Sequence, residues 1–244
     1  YHINGYGGVP HAVPYVADKE DPDSLLKAAE ATKAPLVYMS NPNNPMGTWH
    51  SAAIVQDFID RLPKGTVVIL DEAYIEFAPE GTGPAIDTTN PQVIRARTFS
   101  KAHGMAGLRV GYLIAHPKLI EGINKIRNHF EVNRVAQAAA TASLADTDYI
   151  AWIVAENARG REEYYALAEK HGLTAIPSAT NFVAIDMGRD GDYARDIVQR
   201  LAEKGVFIRM PGVAPLNRCI RVSVGTQEDR KIFAQAFEEV LGGM

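Results

Sequence analysis

A lysine and an arginine, accompanied by hydroxyl side chains, follow an apolar run and form the stretch with the clearest chemical potential. Thr98, Ser100 and Lys101 come directly after residues 93–96, and Arg109 follows a loop that contains two glycines. Hydroxyls, backbone N–H groups and a guanidinium at a strand end can converge on one phosphate. A lysine amine at the same place can act as a Schiff-base nucleophile if its pKa is lowered. The competing interpretation is that both cations are solvated loop charges.

Two further apolar runs also end in polar clusters. Asn44 lies in the Asn-, Pro- and Gly-rich loop after residues 35–40, and Asp71 and Tyr74 follow residues 66–70. In open α/β sheets, ligands bind outside the carboxyl ends of the strands. Three successive strands with polar ends therefore favour a binding or catalytic site over solvated loops.

The elements that must position these residues are short apolar strands alternating with helices. This pattern predicts an α/β domain with a mostly parallel sheet. Residues 66–70 are apolar almost throughout, which is typical of a strand buried on both faces. Gly172 is predicted to end the long helix at residues 148–170. The predicted helices cover residues 25–31, 51–62, 118–127, 136–145, 148–170, 192–204 and 227–241, and the predicted strands cover residues 35–40, 66–70, 93–96, 110–115, 173–176, 182–186, 206–209 and 219–224.

The two ends of the chain differ in pattern. Residues 1–34 begin with an irregular or strand-like stretch, with a brief strand expected at residues 13–16. After residue 172 strands and helices interleave in a new order, so we predict a domain boundary that separates residues 1–145 from residues 146–244.

Asp71 points to a particular cofactor. A carboxylate at the end of a hydrophobic strand is costly unless it meets a cation, and a protonated pyridine nitrogen is such a cation, as in pyridoxal 5'-phosphate (PLP). No Gly-x-Gly-x-x-Gly follows a strand, and no phosphate-binding Gly-Lys-Ser/Thr occurs. The seven histidines show no metal-ligand spacing, and Cys-x-x-Cys is missing. We therefore expect PLP and no metal.

Four motifs in order carry a family resemblance. They are Asn-Pro-Asn-Asn-Pro-Met-Gly at 41–47, Asp-Glu-Ala-Tyr at 71–74, Thr-Phe-Ser-Lys at 98–101 with Arg109, and Ile-Arg-Val-Ser-Val-Gly at 220–225. Together they resemble the class I/II aminotransferases of PLP fold type I, and most of all the histidinol-phosphate aminotransferases. The resemblance implies a three-layer α/β/α large domain, of which residues 1–145 form the C-terminal part, and a smaller C-terminal α+β domain at residues 146–244.

The resemblance also implies roles around the cofactor ring. Lys101 would form the Schiff base with PLP and later move the proton between the substrate α-carbon and the cofactor. Asp71 would keep the ring nitrogen protonated. Asn44 and Tyr74 would hydrogen-bond the ring hydroxyl oxygen.

Phosphate and substrate contacts follow from the same resemblance. The cofactor phosphate would be bound by Thr98, Ser100 and Arg109. Arg221 would bind a substrate carboxylate, or the equivalent group in a substrate without one. Arg209 matches the position that contacts substrate phosphate in the histidinol-phosphate group, although a surface arginine after a strand is an equal alternative.

Departures from the family pattern concern one loop residue and the start of the sequence. Met46 stands where the family usually has threonine, and we expect this to be tolerated because the backbone turn carries the role. Family members have an upstream Gly-rich phosphate cup, an aromatic that stacks on the ring and a segment that closes over substrate. The sequence begins after these features, so we expect it to represent part of a longer enzyme.

The predicted function is transfer of an amino group between an amino acid or amino alcohol phosphate and a 2-oxo acid. Two alternatives stay open: an amino acid phosphate decarboxylase on the same fold, and a non-catalytic aminotransferase-like sensor domain of a transcription regulator. A homodimer is expected because fold type I enzymes usually build each site from two subunits.

Composition narrows the partners and the location. The net charge of −4 gives no reason to expect nucleic acid or an anionic membrane. No apolar run approaches transmembrane length. The single cysteine, Cys219, fits a reducing compartment, which favours the cytoplasm.

Overall fold

The computed structural model describes residues 2–243 and contains two sheets, each flanked by helices. The helices are α1 (His2–Gly5), α2 (Pro22–Thr32), α3 (Ala52–Asp60), α4 (Pro117–Asn124), α5 (Arg134–Ala145), α6 (Thr147–Lys170), α7 (Gly191–Glu203) and α8 (Gln227–Gly242). The strands are β1 (Leu36–Ser40), β2 (Val67–Asp71), β3 (Val93–Thr98), β4 (Gly111–Ala115), β5 (Thr174–Ile176), β6 (Phe182–Asp186) and β7 (Cys219–Ser223).

The larger sheet has the strand order β1-β2-β3-β4. The first three strands are parallel and β4 is antiparallel to β3, so the predicted mostly parallel sheet is confirmed. Ser40 pairs with Asp71, and Asp71 pairs with Ala96. The carboxyl ends of β1, β2 and β3 therefore meet at one edge.

Packing of this sheet is concentrated on one face. Val37, Met39, Val68 and Leu70 form a buried core with apolar residues of α2 and α3. Alternate residues along a strand point to opposite faces, and on the other face Tyr38 is 54% exposed. The prediction that β2 is buried on both faces is thus wrong, because its side chains alternate between buried and half-buried.

Helix boundaries follow local signals. α2 begins with Pro22 after Asp21, whose side chain accepts a hydrogen bond from the Ser24 N–H at 2.9 Å. α6 ends as expected before Gly172, which has a φ of +68°. The N–H groups of Gly172 and Leu173 donate to the carbonyls of Glu169 and Ala168, both at 2.9 Å, which is a Schellman ending.

The second sheet has the order β5-β6-β7 and is antiparallel throughout. Its core is formed with α6, α7 and α8 and includes Val183, Ile185, Ile197, Ile220 and Phe237. The two sheets lie on either side of residue 146. The boundary itself stays a prediction.

Three predicted features of local structure are wrong. Residues 2–5 form α1 instead of an irregular or strand-like start. Residues 13–16 form no strand, because Val16 pairs only with Lys19 across a turn whose Ala17 and Asp18 have positive φ. Residues 206–209 form no strand either, since the Val206 N–H caps α7 by donating to Leu201 O at 2.9 Å.

One remnant of the 206–209 prediction remains. Arg209 forms an isolated antiparallel bridge with Arg221 on β7.

No helix among residues 2–243 has both the length and the apolar character required to cross a membrane.

Candidate active site

The loop that follows β1 is anchored by buried amides. Asn41 is 1% exposed and Asn43 is 2% exposed. The Asn41 N–H donates to Asp71 O at 2.9 Å, which ties the loop to the end of β2. The Asn43 side-chain amide donates to Glu20 at 2.9 Å and to the Tyr15 hydroxyl at 2.8 Å. This anchoring leaves the next residue, Asn44, exposed at the sheet edge.

The Asp71 carboxylate is held by two donors. Its Oδ1 accepts the Ala73 N–H at 2.9 Å, and its Oδ2 accepts the Tyr38 hydroxyl. Desolvation of its hydroxyl, followed by the hydrogen bond to Asp71, raises the pKa of Tyr38, so the phenol stays protonated and acts as the donor. A carboxylate offers about four lone-pair sites. Asp71 therefore keeps acceptor capacity for a further cation.

Lys101 and Arg221 flank a pair of buried aromatic rings. The Lys101 Nζ lies 5.1 Å from the centroid of the Tyr74 ring, and the Tyr74 and Phe182 rings meet edge to face at 5.4 Å between centroids. The Arg221 guanidinium carbon lies 4.9 Å from the Phe182 centroid. These contacts join the loop after β3 to the second sheet. Each cation thus gains a cation–π contact with one ring of the pair.

Arg221 has unused hydrogen-bonding capacity. One terminal nitrogen donates to Asn44 Oδ1, whereas Nε is buried and has no partner among residues 2–243. Burial lowers the pKa of Arg221, and the charge of Arg209 lowers it further. A buried guanidinium N–H without an acceptor is costly. An anionic group of a ligand would relieve that cost.

Arg209 and Arg221 are directly opposed. The Arg209 N–H donates to Arg221 O at 3.1 Å and the Arg221 N–H donates to Arg209 O at 2.7 Å. Opposed residues of an antiparallel pair project to the same side. Two like charges on one side repel each other, so this arrangement favours binding of an anion between them.

Thr98, Ser100 and Arg109 lie at the end of β3 beside Lys101. Thr98 Oγ1 accepts the Ser100 N–H at 3.1 Å. Thr98 pairs with Gly111, and the Phe99 N–H donates to Val110 O, so the antiparallel register brings Arg109 opposite Ser100. The Arg109 side chain is exposed and donates to Ala106 O at 2.8 Å. To bind a phosphate near Ser100, the Arg109 guanidinium would have to give up its hydrogen bond to Ala106 O.

The structure brings the predicted residues together in two contact groups. Lys101 contacts Tyr74, and Asn44 contacts Arg221. The expected hydrogen bonds of Asn44 and Tyr74 to one ring oxygen stay a prediction. Two contacting residues were missed from the sequence, Tyr38 and Phe182. Tyr38 and Ser40 are two positions apart and therefore lie on the same face of β1. This spacing is the sequence signal that could have indicated Tyr38. Phe182 opens a strand that was predicted, but nothing local indicates its aromatic partner.

Comparison with known proteins places the chain in a family. The family model described as aminotransferase class I and II matches residues 2–237. Histidinol-phosphate aminotransferase 1 of Idiomarina loihiensis is 36% identical over 239 residues, which cover 97% of this chain and 64% of that protein. Histidinol-phosphate aminotransferase of Bacillus subtilis is 39% identical over 226 residues, 91% of this chain and 61% of that protein. The chain thus spans less than two thirds of the length of these relatives.

Solved structures share the fold. Histidinol-phosphate aminotransferase from Sinorhizobium meliloti in complex with pyridoxal-5'-phosphate has a TM-score of 0.98 at 49% identity, covering 100% of this chain and 67% of that chain. An aspartate aminotransferase from Thermus thermophilus has a TM-score of 0.80 at 21% identity, over 98% of this chain and 69% of that chain, and supports the fold alone. These likenesses confirm the predicted α/β fold class and the predicted resemblance.

Proposed function

The chain belongs to the class I and II aminotransferase family, and from this premise we propose that it carries the catalytic residues of a PLP-dependent aminotransferase. The observation that carries the proposal is the position of Lys101. Its amine is held over the Tyr74 ring at the same sheet edge as Asp71, whose carboxylate retains acceptor sites. An amine and a carboxylate placed in this way match the two ends of a pyridine aldehyde.

The residues present fit PLP at each functional group. The Asp71 carboxylate would accept a hydrogen bond from the protonated ring nitrogen, and the Lys101 amine would bind the aldehyde carbon. Thr98, Ser100 and Arg109 would bind the phosphate, since they lie near one another where β3 pairs with β4. When bound, PLP supplies an electron sink for the bond broken at the substrate α-carbon.

The side chains would divide the remaining work. Lys101 would move the proton between the substrate α-carbon and the cofactor. Asp71 would keep the ring nitrogen protonated through charge-assisted hydrogen bonding. Tyr74, beside the lysine amine, and Asn44 would orient the ring through its hydroxyl oxygen. Phe182 would help to orient Arg221 through the contact between its ring and the guanidinium.

Substrate choice would depend on the two opposed arginines. Arg221 has a buried N–H to offer, and Arg209 lies directly across the bridge. We assign Arg221 to the group near the α-carbon and Arg209 to a distal anionic group. A phosphorylated amino donor such as histidinol phosphate, with a 2-oxo acid as acceptor, suits this pair, and the names of the curated relatives support that choice.

Oligomeric state and location complete the proposal. We propose a homodimer, supported by exposed apolar side chains that include Phe130 at 97% and Val135 at 69% exposure. Sedimentation at micromolar concentration should show a dimer, and a monomer alone would contradict this part. A cytoplasmic location is proposed from the single buried Cys219.

Covalent labelling tests the role of Lys101. Borohydride reduction of the PLP-loaded protein, followed by peptide mapping, should leave the pyridoxyl group on Lys101. Lys125 is a matched control, because its side chain is 70% exposed on the surface; Lys125→Arg should not change labelling, whereas Lys101→Arg should abolish it. Label that persists on another lysine would refute the assignment.

Substrate discrimination tests the role of Arg209. Arg209→Ala should lower kcat/KM for a phosphorylated donor by about ten- to a hundredfold, the value of a charge-assisted pair of about 1.5–3 kcal/mol. A small uncharged donor should be almost unaffected. Equal losses on both donors would indicate a folding defect, and no loss on either would return Arg209 to the solvated surface.

A further inference from the structure

Tyr38 contacts the carboxylate that the proposed function assigns to the cofactor ring, although it lies on a different strand. Tyr38 pairs with Ile69, two residues before Asp71, so its side chain reaches diagonally along the face that Asp71 shares. Its hydroxyl donates to Asp71 Oδ2, whereas Oδ1 is occupied by the Ala73 N–H. One donor therefore acts on each carboxylate oxygen.

We propose that Tyr38 is a positioning residue that sets the rotation of the Asp71 carboxylate toward the cofactor ring nitrogen. The inference rests on the proposed function. A carboxylate held by a single donor can rotate about its last bond, whereas donors on both oxygens fix its plane. Each oxygen still has a lone pair, so the ring N–H can bind without displacing either donor.

The direction of this hydrogen bond is set by the phenol. Desolvation of the Tyr38 hydroxyl and the neighbouring Asp71 carboxylate both raise the pKa of Tyr38, so the hydroxyl stays protonated and remains the donor to Oδ2.

Cofactor binding by Tyr38→Phe separates this role from general packing. The variant keeps the ring and removes only the hydroxyl. Calorimetric titration of the cofactor-free protein should show about a tenfold rise in the Kd for PLP, as expected when a hydrogen bond to a charged group is lost. The same titration with 1-deaza-PLP, which has carbon in place of the ring nitrogen, should show no change, because Asp71 has no proton to accept from that ring.

A matched control is available on α7, which packs beside the second sheet. Tyr193 stacks on Arg189, with the guanidinium carbon 4.3 Å from its ring centroid. Tyr193→Phe should bind both compounds like the parent. Circular dichroism should confirm that both variants are folded.

The remaining outcomes each overturn the inference. Unchanged binding of PLP by Tyr38→Phe would mean that the hydroxyl does not position Asp71. Tighter binding would mean that the hydroxyl competes with the ring nitrogen for Oδ2. Equal losses for PLP and its deaza analogue would indicate packing alone. If the parent bound neither compound, the proposed function itself would fail, which the parent titration reveals before any variant is compared.

Discussion

Glu72, the residue after Asp71, is expected to hold the end of β2 in place through a buried ion cluster. Its side chain is 1% exposed and that of Arg95 is 5% exposed. Glu72 Oε1 accepts from Arg95 Nε at 3.0 Å, and Oε2 accepts from Arg97 Nε at 2.8 Å. Arg95 also donates to Pro84 O at 2.9 Å. One carboxylate thus pairs with two guanidinium groups beneath the candidate site.

Glu72→Gln keeps the shape of the side chain but removes its charge. Arg95 would remain buried without a counter-ion, and one donor of the new amide would face an arginine N–H. Breaking a buried pair from one side costs about 3–5 kcal/mol. Arg97 adds little to this figure because its side chain is 21% exposed and can turn to water. We therefore expect the free energy of unfolding to fall by about 3–5 kcal/mol.

Urea unfolding followed by circular dichroism measures this loss, with the m-value checking that the transition stays two-state. Glu239→Gln is the control, because Glu239 pairs with Lys204 on the surface and its loss should leave the midpoint nearly unchanged. Glu72→Met combined with Arg95→Met should lose less than Glu72→Gln, since apolar replacement of both partners removes the uncompensated charge. A loss below about 1 kcal/mol in Glu72→Gln, or a larger loss in the double variant, would refute the reasoning.

Three further changes give distinct outcomes. Asp71→Ala should retain part of the PLP binding but slow α-proton abstraction by several orders of magnitude in stopped-flow measurements, and near-normal turnover would make the carboxylate merely structural. Burial raises the pKa of Glu76 from 4.5, and its Oε2 has no partner among the described residues. As the pH rises above 4.5, the parent therefore loses the stability that the protonated Glu76 contributes. The uncharged Glu76→Gln variant should gain stability relative to the parent between mildly acidic and neutral pH. A stability difference that does not change with pH would contradict this prediction. Gly47→Ala should lower the unfolding midpoint, because its φ is +80° and a Cβ would lie 2.4 Å from Ser178 Oγ; Ser178→Gly should restore part of the loss, and equal midpoints for Gly47→Ala and the parent would show that this close approach is relaxed.

Local pattern by itself determined much of the candidate site. Asp71 and Lys101 each follow an apolar run that became a strand, and α/β alternation predicts that such strands lie parallel. Parallel strands bring their carboxyl ends to one edge, so the polar clusters had to meet once the elements were recognised. The start of α2 at Asp21 and the end of α6 at Gly172 are equally local, because capping depends on a few adjacent residues.

Tertiary structure decided the contacts that join distant segments. Asn44 and Arg221 are 177 positions apart, and Tyr38 reaches Asp71 from the neighbouring strand. Residues 206–208 form a short apolar run that suggests a strand. The end of α7 nevertheless accepts the Val206 N–H, and a single bridge remains at Arg209. Period-two alternation specifies which residues share a face, but it does not specify the neighbouring strand, its register or what covers that face. Those properties depend on packing free energies summed over the whole chain, which no local window contains.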